Sequence, residues 1–135
     1  MVTKRDLQRI QDLHRSIQRE KDQLYILHEM ASGTGSQSFD NVRVQSSPLI
    51  SSGNRFAEAA ADLDVRIKEE EEELEYLQKM VDKFIETLED AVEIRIMQLR
   101  YILCYNWILI SRITGYTERH IYRVHNRIVE ELPKE

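Results

Sequence analysis

Between residues 112 and 127 the chain reads "RITGYTERHIYRVHNR". Arg112, Thr117, Glu118, Arg119, Tyr122, Arg123, Asn126 and Arg127 supply its polar chemistry. Arginine can grip guanine bidentately, asparagine can do the same with adenine, and both reach phosphate oxygens. Ile121 and Val124 stand among them at helical spacing, so one face of a helix would be apolar and the opposite face basic. These eight residues are the candidate DNA contacts. Tyr122 stands open between base contact and packing, and Tyr116 falls to packing at the turn.

Other chemistries find little support. His120 and His125 are five apart, so they do not share a helix face as metal ligands at i and i+4 would. "GTG" at 33–35 lacks the lysine and the flanking strand of a phosphate loop. No serine, histidine and acid set converges by spacing. The single cysteine, Cys104, excludes an intrachain disulfide and reads as a buried structural thiol on an apolar helix. No catalytic residue, cofactor or metal is expected, and the chain does not read as an enzyme.

The elements that must position the basic face are helices. "VEIRIMQLRYILCY" (92–105) reads as an apolar-rich helix with Ile96, Leu99, Leu103 and Ile102 toward a core. Tyr105–Asn106 is a break. A short helix over 107–114 follows, and Gly115 permits a positive φ in the turn. Thr117 is an N-cap for a helix from Glu118 to about Leu132, which Pro133 stops. Ser111 is small enough to let two helices approach. Ile121, Val124, Ile128 and Leu132 form the stripe that packs the second helix back. This is the layout of a helix-turn-helix.

Two longer tracts precede it. From Lys4 to Ala31 a seam runs Ile10, Leu13, Ile17, Glu20, Leu24, Leu27, Ala31, in heptad steps. From Phe56 a second seam runs Ala60, Leu63, Ile67, Glu70, Leu74, Leu77, Val81, Phe84, Leu88, Ala91. Residues 32–54, rich in Ser, Gly and Asn, form a loop that is either the turn of a hairpin or without fixed structure, with Gly33 as a helix cap and "NVRVQ" as a short extended piece. The expected fold is all-α. A long antiparallel helical hairpin of coiled-coil type spans 1–91, with its loop at 32–54, and a C-terminal helix-turn-helix occupies 92–135. Folding about the loop sets Ala31 against Phe56, Ile17 against Glu70 and Glu20 against Ile67. The two seam carboxylates then fall in neighbouring layers and need a partner, from Lys21, Arg66 or a second subunit. Such a seam residue can also fix register or oligomer state. Val81, Phe84, Leu88 and Ala91 outrun the first helix and must bury against the C-terminal part or another chain.

Charge is unevenly spread. Residues 58–93 carry 4 Lys and Arg against 14 Asp and Glu, whereas Ile94 to Arg127 carry six arginines and one glutamate, so an acidic chain presents a basic end. "KEEEEELE" (68–75) reads as a solvated helix face. No apolar run approaches the roughly 18 residues of a membrane span, no secretory signal is expected, and a reducing cytoplasm is the expected compartment.

The stretch "YILCYNWILISRITGYTERHIYRVHNRIVEEL" (101–132) resembles region 4 of bacterial sigma factors. Trp107, Ile110–Ser111, Gly115–Tyr116, Thr117, Arg119, Ile121–Tyr122–Arg123 and His125 carry the likeness. With "VQSSP" (Val44 to Pro48), the whole chain looks like small phage and prophage proteins of Gram-positive hosts, near the ArpU and RinA type late-gene regulators. The resemblance implies binding of double-stranded DNA through the second helix and control of late phage transcription in a bacterial host cell. It also implies a possible contact with host RNA polymerase, and a homo-oligomer, with a dimer favoured, is expected. Where sigma-like proteins often carry acids between Trp107 and Ser111, this chain has Ile108–Leu109, and Thr114 replaces a bulky apolar residue. Two other readings stand beside it. One is a small-terminase-like packaging protein. The other is a coiled-coil adaptor that binds polymerase or a host protein without touching DNA.

Overall fold

The computed structural model describes residues 1–32 and 46–135. The described residues form α1 (Lys4–Ser32), α2 (Ser46–Ile85), α3 (Ala91–Met97), a π-helical turn (Gln98–Ile102), α4 (Trp107–Thr114) and α5 (Glu118–Glu130), with no strand among them. The chain is therefore all-helical there, as expected. None of these helices is long and apolar enough to cross a membrane. The expected cap at Gly33 and the extended piece at "NVRVQ" lie outside the described residues.

Three expectations need correction. Residues 46–54, read as loop, are the start of α2. Pro48 sits in its first turn, where a missing N–H costs nothing because those donors have no partner in the helix. At the other end, α2 stops at Ile85 rather than running to Ala91. The Thr87 hydroxyl donates to the Phe84 carbonyl (2.6 Å), closing the end. Asp90 then opens α3 by accepting from Val92 N (2.8 Å) and Glu93 N (3.4 Å). Ala91 is consequently exposed. Third, the helix expected over 92–105 is broken from Gln98 onward. A π-helical turn closes on the bond from Leu103 N to Gln98 O (3.0 Å), and Cys104 takes a positive φ of 58°. Leu103, assigned to the core, is 52% exposed, and Cys104 lies past the helix and is only partly buried.

By its internal contacts the chain divides into two units, Met1–His14 with Glu72–Glu135, and Arg15–Glu71. The first holds the main core. Leu7, Ile10 and Leu13 of α1, Leu77, Val81 and Ile85 of α2, Ile96 and Met97 of α3, Ile110 of α4, and Ile121, Val124 and Ile128 of α5 are buried in one cluster. The surplus apolar end of α2 is thus covered, at Val81, by the C-terminal helices. The start of α1 is tied to the end of the chain, because Lys4 N donates to Pro133 O (2.8 Å) and Arg5 N to Lys134 O (3.2 Å). Thr3 and Asp6 add a reciprocal cap, each side chain accepting from the other's backbone N–H at 3.1 Å.

The π-helical turn withdraws several carbonyls from the regular α-helical pattern, and buried carbonyls need donors. Two side-chain amides provide them. Gln78 Nε2 donates to Tyr101 O (2.9 Å) and Ile102 O (3.2 Å), and Gln11 Nε2 donates to Arg100 O (3.1 Å). The turn is thereby fixed to α1 and α2 within the first unit.

In the second unit Ile17, Ala60, Leu63 and Ile67 are buried, as the seams require. Glu20 is buried too, at 7% exposure, and meets Arg66 (Nη1 to Oε2, 3.6 Å). Ser16 donates to Glu70 (3.0 Å), while Lys21 pairs with Glu71 (3.1 Å). Of the partners foreseen for the seam carboxylates, Arg66 takes the role and Lys21 does not.

Candidate nucleic-acid interface

The geometry of α5 follows from its two ends and its stripe. Gly115 ends α4 in the left-handed region (φ 81°), and its N–H donates to Ser111 O at 2.9 Å. The Ser111 hydroxyl donates to Tyr116 O (2.6 Å), so the small residue expected to allow close approach also pins the turn. Thr117, extended at φ −71° and ψ 156°, accepts from His120 N (3.2 Å). Ile121, Val124 and Ile128 are then driven into the core. With three anchors one helical turn apart, α5 has no freedom to roll.

That fixes what faces outward. Thr117, Glu118, Arg119, Tyr122, Arg123, Asn126 and Arg127 of the cap and helix are all exposed, and so is Arg112 on α4. Arg112, Arg119 and Arg123 make no ion pair among the described residues. Arg127 differs, because Glu93 of α3 meets it at 3.5 Å. Glu93 is only 20% exposed in this pair, so Arg127 is in part committed to it. Asn126 Oδ1 lies 3.4 Å from His125 Nδ1, a long contact that leaves its amide N–H groups outward. Tyr122 is 40% exposed but sets its ring against Trp107 (centroids 5.1 Å apart, planes at 78°), so packing holds one side of it and solvent the other.

Behind this face lies an aromatic cluster that spacing alone does not show. Trp107 also meets the edge of His125 (4.8 Å, 73°), and Tyr101 stacks on His125 (5.7 Å, 24°). The Tyr101 hydroxyl is 2.6 Å from His125 Nε2. Burial pushes the Tyr101 hydroxyl up to about 12, so it stays protonated and donates. Burial pushes His125 down, toward the neutral ring that can accept there. The Arg100 guanidinium lies 4.2 Å over the Trp107 ring, and Nη1 donates to Tyr105 O (3.2 Å). Arg100 and Trp107 were not among the candidate contacts. The signal for Arg100 is a lone cation inside the apolar run "IMQLRYIL".

His120 packs on Tyr116 (5.0 Å), so the two histidines of the basic stretch take separate partners. The surface of α4 carries Ile108 at 55%, Leu109 at 38% and Ile113 at 39% exposure. Asn106 caps this helix by accepting from Leu109 N (2.9 Å).

The chain was compared with family models, curated proteins and solved structures. None of the three comparisons found a match.

Proposed function

We propose that the chain is a DNA-binding transcription regulator of the kind that controls late genes in phages and prophages of Gram-positive bacteria, acting in the host cytoplasm. In this reading α4, the Gly115 turn and α5 are a helix-turn-helix, and α5 enters the major groove. The observation that carries it is the outward face of α5. Arg119 and Arg123 stand exposed, with no ion pair among the described residues, on a helix that its buried stripe prevents from rolling. Arg119, Tyr122, Arg123 and Asn126 are the base-edge candidates, while Arg112 and Arg127 flank them for phosphates. The pairs Ser16–Glu70 and Glu20–Arg66 support reading α1 and α2 as an antiparallel hairpin. Its role would be to dimerise the chain, so that two reading helices meet successive faces of the duplex.

Fluorescence anisotropy with duplex DNA from the protein's own genomic neighbourhood tests the assignment. Affinity is expected to fall steeply with salt, because neutralised phosphates release counterions. Arg119→Ala with Arg123→Ala should abolish specific binding. Undiminished binding by that double variant would refute the assigned face.

A second reading draws on the exposed Ile108, Leu109 and Ile113, which suit a protein contact better than DNA. It makes the chain an adaptor for RNA polymerase or a host protein. Co-purification of polymerase that depends on Ile108 and Leu109, without any DNA binding, would favour it. A small-terminase-like assembly would instead show as a ring-sized mass in sedimentation.

A further inference from the structure

We propose that the first unit contains a binding pocket for a small oxyanion-bearing ligand, a phosphate or carboxylate compound, held by Arg100 and Lys4. This goes beyond the DNA-binding reading and does not depend on it. The pocket has a volume of about 270 Å³ and is lined by residues of α1, the π-helical turn, α4 and α5. Its polar lining is Lys4, Gln8, Gln11, Arg100, Tyr101 and His125, and its lining contains no aspartate or glutamate. In a chain with net charge −5 this lining carries two cations, and the nearest acid that touches it is Asp12, which accepts from Gln8 Nε2 (3.0 Å).

The second observation is the state of Arg100. Its guanidinium is partly buried, and it forms no ion pair with any carboxylate among the described residues. The Nε atom is buried with no hydrogen-bond partner. Among the described residues, the Tyr105 carbonyl, the Trp107 face and the neighbouring Tyr101, Cys104 and Tyr122 compensate its charge, and no carboxylate does. A partly buried cation in a low-dielectric setting is costly without a counter-charge. An oxyanion in the pocket that Arg100 lines supplies one, acting on the guanidinium as a whole because Nε itself is closed to solvent. Lys4 adds a second positive charge to the same lining, together with Gln8 and Gln11, whose amides also donate to Asp12 (3.0 Å) and to Arg100 O (3.1 Å). His125 is neutral by burial, so it contributes a polar wall and no charge. The volume exceeds what a bare phosphate fills, leaving room against Trp107 and Val129 for an organic remainder.

Trp107 is the only tryptophan and lines the pocket, so its fluorescence reports on occupancy directly. Inorganic phosphate is titrated into the full-length chain at fixed pH and ionic strength, with chloride as the matched control. A saturable change is expected. Arg100→Gln should abolish it, and Lys4→Gln should weaken the apparent affinity by about tenfold, the scale of one charge-assisted hydrogen bond. The proposal is overturned by the lack of a saturable response in the unmodified chain, or by an unchanged affinity in Lys4→Gln. The latter variant decides the matter even if Arg100→Gln fails to fold, because Lys4 is not part of the core. A parallel titration with duplex DNA separates the sources. A response to duplex with none to phosphate would assign the pocket to the DNA backbone and overturn the small-ligand proposal.

Discussion

Glu20 and Glu70 are neighbours in the second unit, and each keeps one buried carboxyl oxygen, Oε1, without a hydrogen-bond partner among the described residues. A second carboxyl beside it disfavours the charged form of Glu20. The contact with Glu70, then burial, hold the Glu20 carboxyl above its ordinary 4.5, with Arg66 pulling the other way.

The folded state therefore takes up a proton more readily than the unfolded chain. The resulting stabilisation is complete below about 4.5 and is lost as pH rises through the folded value. The thermal midpoint, followed by circular dichroism, should fall across that window. Glu20→Gln replaces the carboxyl by an uncharged amide that can donate to Glu70. It should gain about 1 kcal/mol at neutral pH and lose most of the pH slope. An unchanged slope in this variant would remove Glu20 as the cause.

His125 acts with the opposite sign. Burial lowers its pKa from 6.5, so its contribution is present above about 6.5 and lost as pH falls through the folded value. Nuclear magnetic resonance titration of the ring should find a midpoint below 6.5. In Tyr101→Phe, which deletes a donor to Nε2, that midpoint should move up and stability should drop by about 1 kcal/mol. A midpoint that does not respond would mean the hydroxyl has no part in setting the charge.

Gln78 should be worth more than its partly buried position suggests. Gln78→Leu strands the carbonyls of Tyr101 and Ile102, at a cost of about 1–3 kcal/mol in urea unfolding. Amide exchange at Leu103 and Tyr105 should accelerate in the same variant, since these bonds close the turn. A loss below the error of the unfolding curves would show that water replaces the amide freely.

At Gly115 the cost of a side chain is purely conformational, because an added Cβ meets nothing within 4 Å. Gly115→Ala should lose about 1 kcal/mol, and Gly115→Asn should lose less, because asparagine tolerates the left-handed region better. Equal losses for both would point to a steric cause that the open space does not offer.

The heptad seams were legible because burial obeys period. Ile10, Leu13, Ile17, Ala60, Leu63, Ile67, Leu77 and Val81 are all buried where the spacing put them. The α4–turn–α5 segment was legible because Asn106, Gly115 and Thr117 are strong local punctuation. The break after Ile85 was missed although "TLED" holds both a terminating threonine and a capping aspartate, since the apolar period continued through Leu88 and masked them. The π-helical turn left no such mark, because its stability comes from Gln11 and Gln78, which are remote in sequence. For the same reason the outward arginines of α5 were foreseeable from one helix, whereas the Arg100 pocket, assembled from α1, the turn, α4 and α5, was not.

The turn at Gln98–Ile102 also bears on how this chain tolerates changes of length. A π-helical turn accommodates a residue beyond the α-helical repeat, so it behaves as an insertion that was kept. Losing one codon there would restore an unbroken helix. It would also swing everything from Trp107 onward by about 100° relative to α3, the angular step of a single residue. Ile110 and Ile121 would leave the core, and the basic face would point elsewhere. A scan of single-residue deletions should therefore find this short segment unforgiving, even though it bears no candidate DNA contact.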